Sequence, residues 1–308
     1  MRIAGSFGVQ YLAFYVMERE KLVEKHAKAA GVPELKVSFP RISGGAALND
    51  AVVSGATDFA GVGIAPFAIL WNKTKGNLNV KALAALGDVP MVLLTNDPRI
   101  KSLKDLKDGD RIAVPAVKAS MQAMLLQMAA GEIFGADRFD SVDKHTVTMR
   151  HSEATTALLA GKGVVNMHFS VPPYANRAKT NPAVREIMNS TQILGGPATI
   201  NLLVCTEAFY KANHTLAKIV VAALTEATEL IESRPSLAAE IYLEADKGGA
   251  RDKKMVEEIL ADPNVNFTIV PHGVGKYVSF MVDRGIIKNK PASWKDMFFA
   301  EAQSLPGN

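Results

Sequence analysis

Two short stretches of this chain set a hydroxyl beside residues of little or no side chain, at the point where a strand gives way to a helix. The first is Ser43-Gly44-Gly45, downstream of Val37-Ser38-Phe39; the second is Lys118-Ala119-Ser120, downstream of Ile112-Ala113-Val114. The opening N–H groups of a helix have no partner within it, and the aligned peptide dipoles leave that end positive. Each turn therefore suits an anion, and two of them suggest half-sites that face one ligand. Ser43 and Ser120 fit a plain capping role too, the glycines fit close packing, and Lys118 is either a point charge for the anion or a solvated side chain. One helix terminus supplies about 0.3–2 kcal/mol, whereas a micromolar complex needs about 8 kcal/mol, so other contacts must contribute most of the affinity.

Candidates for those contacts are Gln10 and Tyr11 near the start of the chain, and Ile64 and Phe67 in the turn Gly63-Ile64-Ala65-Pro66-Phe67. Phe169, Ser170 and Pro172 are candidates further on. Aromatic rings offer apolar area with few rotamers to freeze, although Phe67 and Phe169 fit a core equally well. Catalytic groupings are weaker. His145, His151 and His168 fall on separate elements, without metal-ligand spacing, and His168 reads as a structural histidine; no metal is expected. Cys205 follows Leu202-Leu203-Val204, the setting of an inert buried thiol, and no Ser-His-Asp set assembles locally. Gly61-Val62-Gly63 and Gly273-Val274-Gly275-Lys276 lack the context of nucleotide-binding loops, so no cofactor is expected.

These residues need elements to hold them. At 308 residues the chain exceeds what one core usually holds, and two α/β lobes are expected. A 48% hydrophobic and 21% charged composition is that of a globular protein. The net charge of +4 is spread along the sequence without a basic stripe interleaved with aromatics, which argues against nucleic-acid binding. No apolar run approaches the roughly 20 residues of a membrane span. The opening Met1-Arg2-Ile3-Ala4-Gly5 reads as a strand rather than a secretion signal, consistent with a cytosolic protein or a mature form. The single Cys205 rules out an internal disulfide.

Strands expected at 2–7, 37–39, 57–62, 80–86 and 89–95 alternate with helices at 11–28, 46–54 and 66–71, which implies a mostly parallel sheet. Asn96-Asp97-Pro98 breaks the pattern, and it restarts with strands at 111–114, 144–148 and 164–169 around helices 120–131 and 152–160. Gly195-Gly196-Pro197 marks a second boundary before the apolar strand 200–206, and the remainder is mainly helical. The division expected is one lobe from residues 1–94 and 203–308 and a second from 95–202, joined by two neighbouring crossovers that form a hinge beside the ligand cleft.

In this layout the chain resembles the substrate-binding proteins of ABC importers, in the branch associated with nitrate, alkanesulfonates, taurine and thiamine-pyrimidine precursors. The resemblance is carried by Ser43-Gly44-Gly45 with Leu48-Asn49-Asp50-Ala51-Val52-Val53-Ser54-Gly55-Ala56-Thr57-Asp58-Phe59, and by Lys101-Ser102-Leu103-Lys104-Asp105-Leu106. Ala154-Thr155-Thr156-Ala157-Leu158-Leu159-Ala160-Gly161 and Val171-Pro172-Pro173-Tyr174-Ala175 add to it. It implies a two-lobed periplasmic-binding-protein-like α/β fold of type II, with the ligand cleft between the lobes. It further implies a monomeric, periplasmic, non-enzymatic protein that captures a small organic anion and passes it to a membrane permease. Asn166 stands where the family often has Asp, and Arg41 precedes Ser43-Gly44-Gly45, departures that point away from the simplest sulfonates. A neutral pyrimidine-like heterocycle is the alternative ligand. A desulfinase-like enzyme is the alternative activity, although Arg41-Ile42-Ser43-Gly44-Gly45 is one residue longer than the corresponding desulfinase element.

Overall fold

The computed structural model describes residues 1–161, 163–246 and 250–308. The chain begins with β1 (Ile3–Ala4), α1 (Leu12–Arg19), α2 (Leu22–Ala29), α3 (Gly45–Val53), β2 (Phe59–Gly63), α4 (Ile64–Thr74) and β3 (Lys81–Ala85). It then crosses to β4 (Val92–Thr95), β5 (Ile112–Val114), α5 (Met121–Phe134), β6 (Thr146–Thr148), α6 (His151–Ala160), β7 (Met167–Ser170), α7 (Tyr174–Lys179), β8 (Arg185–Asn189) and α8 (Ser190–Leu194). It returns through β9 (Asn201–Cys205) to α9 (Glu207–Ala212), α10 (His214–Ser233), α11 (Pro235–Ala245), α12 (Lys253–Leu260), α13 (Val274–Asp283) and α14 (Ala300–Gln303).

The strands form two sheets, ordered β1-β2-β9-β3 and β6-β5-β7-β4-β8, and the fold is the two-lobed type expected. Neither sheet is purely parallel. In the first, β9 runs antiparallel to both β2 and β3; in the second, β4 runs antiparallel to both β7 and β8. These are the strands that follow a crossover, and a strand arriving from the other lobe enters the sheet from the opposite end. β4 belongs to the second sheet and β9 begins at Asn201, so sheet membership changes between Ala85 and Val92 and again before Asn201, rather than after 94 and at 203.

Local chemistry accounts for other differences. The helix expected over 11–28 is broken into α1 and α2 at Lys21, which adopts φ 50°. The strand expected at 37–39 pairs only through isolated bridges, Arg2 with Ser38 and Gly5 with Arg41; Pro40 between them has no N–H to extend a ladder. Apolar side chains from α4, α5, β2, β7 and β9 merge into one core that includes Phe67, Met124, Phe169 and Leu202. A second core packs α1, α2, α10 and α11 on the other face of the first sheet.

The two crossovers are bonded to each other. Ile200 N–H donates to Gly87 O at 3.1 Å, and Asp88 N–H donates to Asn266 O at 2.7 Å. The Asp88 carboxylate, 2% exposed, accepts from Thr199 Oγ1 at 3.0 Å and lies 2.7 Å from His272 Nδ1. Gly87 has φ 129°, and a Cβ there would come within 2.7 Å of Asn266 O, so only glycine fits this approach.

Candidate functional site

A cleft of about 1150 Å³ lies between the lobes. The loop before α1, the starts of α3 and α4, β9 and the end of α11 form one wall; the starts of α5 and α6 with Val171 and Tyr174 form the other. Of the candidate ligand contacts named from the sequence, Gln10, Tyr11, Ser43, Gly44, Gly45 and Ser120 line it.

The two serines differ from expectation. Ser43 caps nothing: Gly44, at φ 94°, is the N-cap of α3, and no side chain bonds the first turn. The first N–H groups of α3 are therefore left for solvent or a ligand. Ser120 is a true cap. Its Oγ accepts from Ala123 N–H at 3.2 Å and donates to Ala116 O at 2.7 Å, so its hydroxyl is already engaged. An uncapped start of a longer helix on the second lobe is instead α6, whose N-cap Arg150 makes no side-chain cap bond. Arg150 and His151 both line the cleft; Arg150 is exposed, and no ion pair engages it among the described residues.

Six other candidates do not line the cleft. Ile64, Phe67 and Phe169 are fully buried, Phe67 edge-on against Phe298 with centroids 6.4 Å apart. Each follows or belongs to a strand of a lobe core, where apolar burial dominates. Ser170 is also fully buried. Pro172 is buried in a cis peptide with Pro173, and its carbonyl accepts from Val9 N–H at 3.4 Å. Lys118 is exposed at φ 59°, and its charge acts on the Asp143 carboxylate rather than in the cleft.

Several cleft residues carried no usable signal in the sequence. His151 stacks on Tyr174 at 5.6 Å, its Nδ1 lies 2.9 Å from His168 Nε2, and its Nε2 faces the Gln122 carboxamide at 3.4 Å. Burial pulls the His151 pKa down to about 4, and burial together with His151 pulls His168 well down, so the pair is neutral near pH 7. Tyr174, Tyr11 and Tyr15 are raised by burial and remain phenols. Asn201, 4% exposed on β9, lies beside Tyr11 with its Nδ2 unpartnered. Asp246, at the end of α11, is 3% exposed and also lines the cleft.

Cys205 does not line the cleft. It is buried among the residues packed against α10, and burial first, then the charge of Glu301, pushes its thiol pKa up. A nucleophilic thiol needs the opposite shift. Asn166 serves within the second lobe, accepting from Arg111 N–H at 2.8 Å and donating to Asp110 Oδ1 at 2.7 Å. Among the described residues no group of three His, Cys, Asp or Glu is arranged to hold a metal, and no helix is long and apolar enough to cross a membrane.

Residues 28–238 match the family model described as NMT1/THI5 like. The chain belongs to this family. The match bears out the resemblance seen in the motifs around Ser43-Gly44-Gly45 and Ala154–Gly161. No curated protein matches the sequence significantly. Among solved structures, the chain is similar to the alkanesulfonate-binding protein SsuA of Xanthomonas axonopodis pv. citri bound to MOPS, with 18% identity and a TM-score of 0.75 over 100% of this chain and 98% of that one. The aliphatic sulphonate binding protein SsuA of Escherichia coli gives 19% and 0.70, over 96% and 98%. The ligand-binding component of an ABC-type import system from Staphylococcus aureus gives 14% and 0.71, over 99% and 98%. Likeness at this level of identity carries the fold.

Proposed function

We propose that this member of the NMT1/THI5-like family is the solute-capturing component of an importer, without turnover of its own. A small organic molecule with an anionic group binds in the cleft and is delivered to a membrane permease; this places the working protein outside the cytoplasmic membrane. The observation that carries the reading is the pair of uncapped helix starts, α3 at Gly44 and α6 at Arg150, on the two walls of one cleft. Ser43, Gly44 and Gly45 would meet the anion from the first lobe and Arg150 from the second. Contacts made to both lobes at once favour the closed arrangement by their differential affinity. The sulfonates named for the two SsuA neighbours support this class of solute, and the import-component neighbour supports the transport role. The thiol at Cys205 lies outside the cleft, which weighs against a desulfinase.

The stacked His151 and Tyr174 rings favour one second reading, a flat heterocycle laid against that stack. A thermal-shift panel of alkanesulfonates, carboxylates, inorganic oxyanions and pyrimidines separates the two. A ligand at one hundred times its dissociation constant stabilises the folded form by about 2.7 kcal/mol. Shifts confined to sulfonates or carboxylates support the anion reading, and shifts confined to pyrimidines support the heterocycle. A panel without any shift refutes solute capture.

A further inference from the structure

The cleft has an acidic end that an anion alone does not use. Asp246 is the C-cap of α11, and its side chain is almost wholly buried. Among the described residues its two hydrogen bonds fall on one oxygen: Oδ2 accepts from Gly8 N–H at 2.7 Å and from Tyr242 O–H at 2.9 Å. Both donors are neutral, and among the described residues no cation forms an ion pair with it. The guanidinium that lines that wall, Arg41, is engaged by other groups. Arg41 donates to the Ala245 carbonyl, reaches Glu18 Oε2 at 3.2 Å, and lies over the Tyr15 ring at 4.5 Å. Position adds to the problem, because the C-terminal end of a helix is the negative end of its dipole and disfavours a carboxylate. Glu244, two residues earlier and also lining the cleft, meets Arg19 at 3.3 Å.

A second observation points the same way. Gln10, 7% exposed, donates Nε2 to Phe7 O at 3.0 Å, which fixes its amide orientation and leaves Oε1 buried without a donor. That oxygen packs against Gly8, the residue bonded to Asp246; a Cβ on Gly8 would come within 2.5 Å of it. A carboxylate whose described donors are both neutral and an amide oxygen without a donor therefore lie next to Gly8, at the negative end of a helix. Among the described residues the carboxylate has no ion-pair partner, and a cation brought by the ligand would supply one.

We propose that Asp246 binds a protonated nitrogen, an ammonium or amidinium group, of the captured solute. The solute then carries its cation against the end of α11 and any anionic group against the starts of α3 and α6. The assignment rests on the solute-capture reading and narrows its substrate class. Asn at 246 can accept from both Gly8 and Tyr242 through Oδ1, so D246N keeps the structural bonds and removes the charge.

The test uses matched probes on the wild type and on D246N: taurine against ethanesulfonate, 4-aminobutyrate against butyrate, and benzamidine against benzamide, measured by thermal shift and calorimetry. The wild type is expected to favour the members bearing a protonated nitrogen by about 30-fold or more, the scale of a buried charge contact, and D246N to lose that preference without a lower Tm. Equal binding of both members of each pair by the wild type overturns the assignment while leaving solute capture intact. A preference that survives in D246N moves the subsite away from Asp246. Silence toward every probe, aminated or not, overturns solute capture and this inference together. The comparison within the wild type stands by itself should D246N not fold.

Discussion

Lowering the pH from 7 to 5 should weaken the fold through the buried pair His151 and His168, of which His151 is the member in the cleft wall. Its ring is buried against Tyr174 and His168, and burial holds its pKa near 4, against 6.5 for an unhindered imidazole. The unfolded chain therefore binds the proton more readily than the folded one between those values, so stability rises with pH across that window and is lost as the pH falls through it. The full shift corresponds to about 3 kcal/mol, and at pH 5 about 2 kcal/mol of it is already gone. The carboxylates held below their usual range, such as Asp110, which accepts from Lys107 N–H and Arg99, and Glu226 beside Lys25 and His26, lose their contribution at lower pH and do not mask this window. Urea unfolding of the wild type and of His151→Gln at pH 7 and pH 5 isolates the effect, because other groups cancel in the difference. The stability gap between the two proteins should close by about 2 kcal/mol on acidification. A gap that stays constant, or a His151 NMR titration centred near 6.5, would show that the ring is solvated and would refute the packing argument.

Two further outcomes follow from burial. Phe169→Ala should lower stability by about 3–5 kcal/mol in urea while leaving affinity for any cleft ligand within a few-fold, because the ring is wholly inside the core; a large affinity loss in a protein of wild-type stability would put it in the site. Asp88→Ala should destabilise by about 3 kcal/mol, since it strands the Thr199 hydroxyl and the His272 ring, and an unchanged urea midpoint would mean that the crossovers are not held by this carboxylate.

The sequence disclosed the two-lobed α/β layout because its signals are local: strands separated by helices, breaks at Asn96-Asp97-Pro98 and Gly195-Gly196-Pro197, and small residues at helix starts. What it could not disclose depends on contacts across the chain. Ser43 and Ser120 look alike in sequence, yet only Ser120 closes back on its own helix, because the chain before α5 places Ala116 O beneath the hydroxyl. Phe67 and Phe169 fit a cleft or a core equally by residue type, and the strands beside them decided for the core. His151 and His168 are 17 positions apart, and only the packing of α6 on the second sheet makes them neighbours. Asp246 carries no motif at all; its meaning comes from Gly8, 238 residues away. Strand direction in β4 and β9 was likewise invisible, since alternation of strand and helix says nothing about which end of a sheet a crossing strand enters.

The bonds between the crossovers also set how the two lobes can move. Residues 87–88 and 199–200 are stitched together and pinned jointly to Asn266 and His272, so they cannot slide past one another. A joint made of one strand would swivel in every direction. A bonded pair flexes like a strip, easily across its flat face and stiffly within its plane. Relative motion of the lobes is thereby reduced toward a single coordinate, and the part of the chain that restricts it, residues 266–272, lies outside the cleft and can be altered without touching a ligand contact.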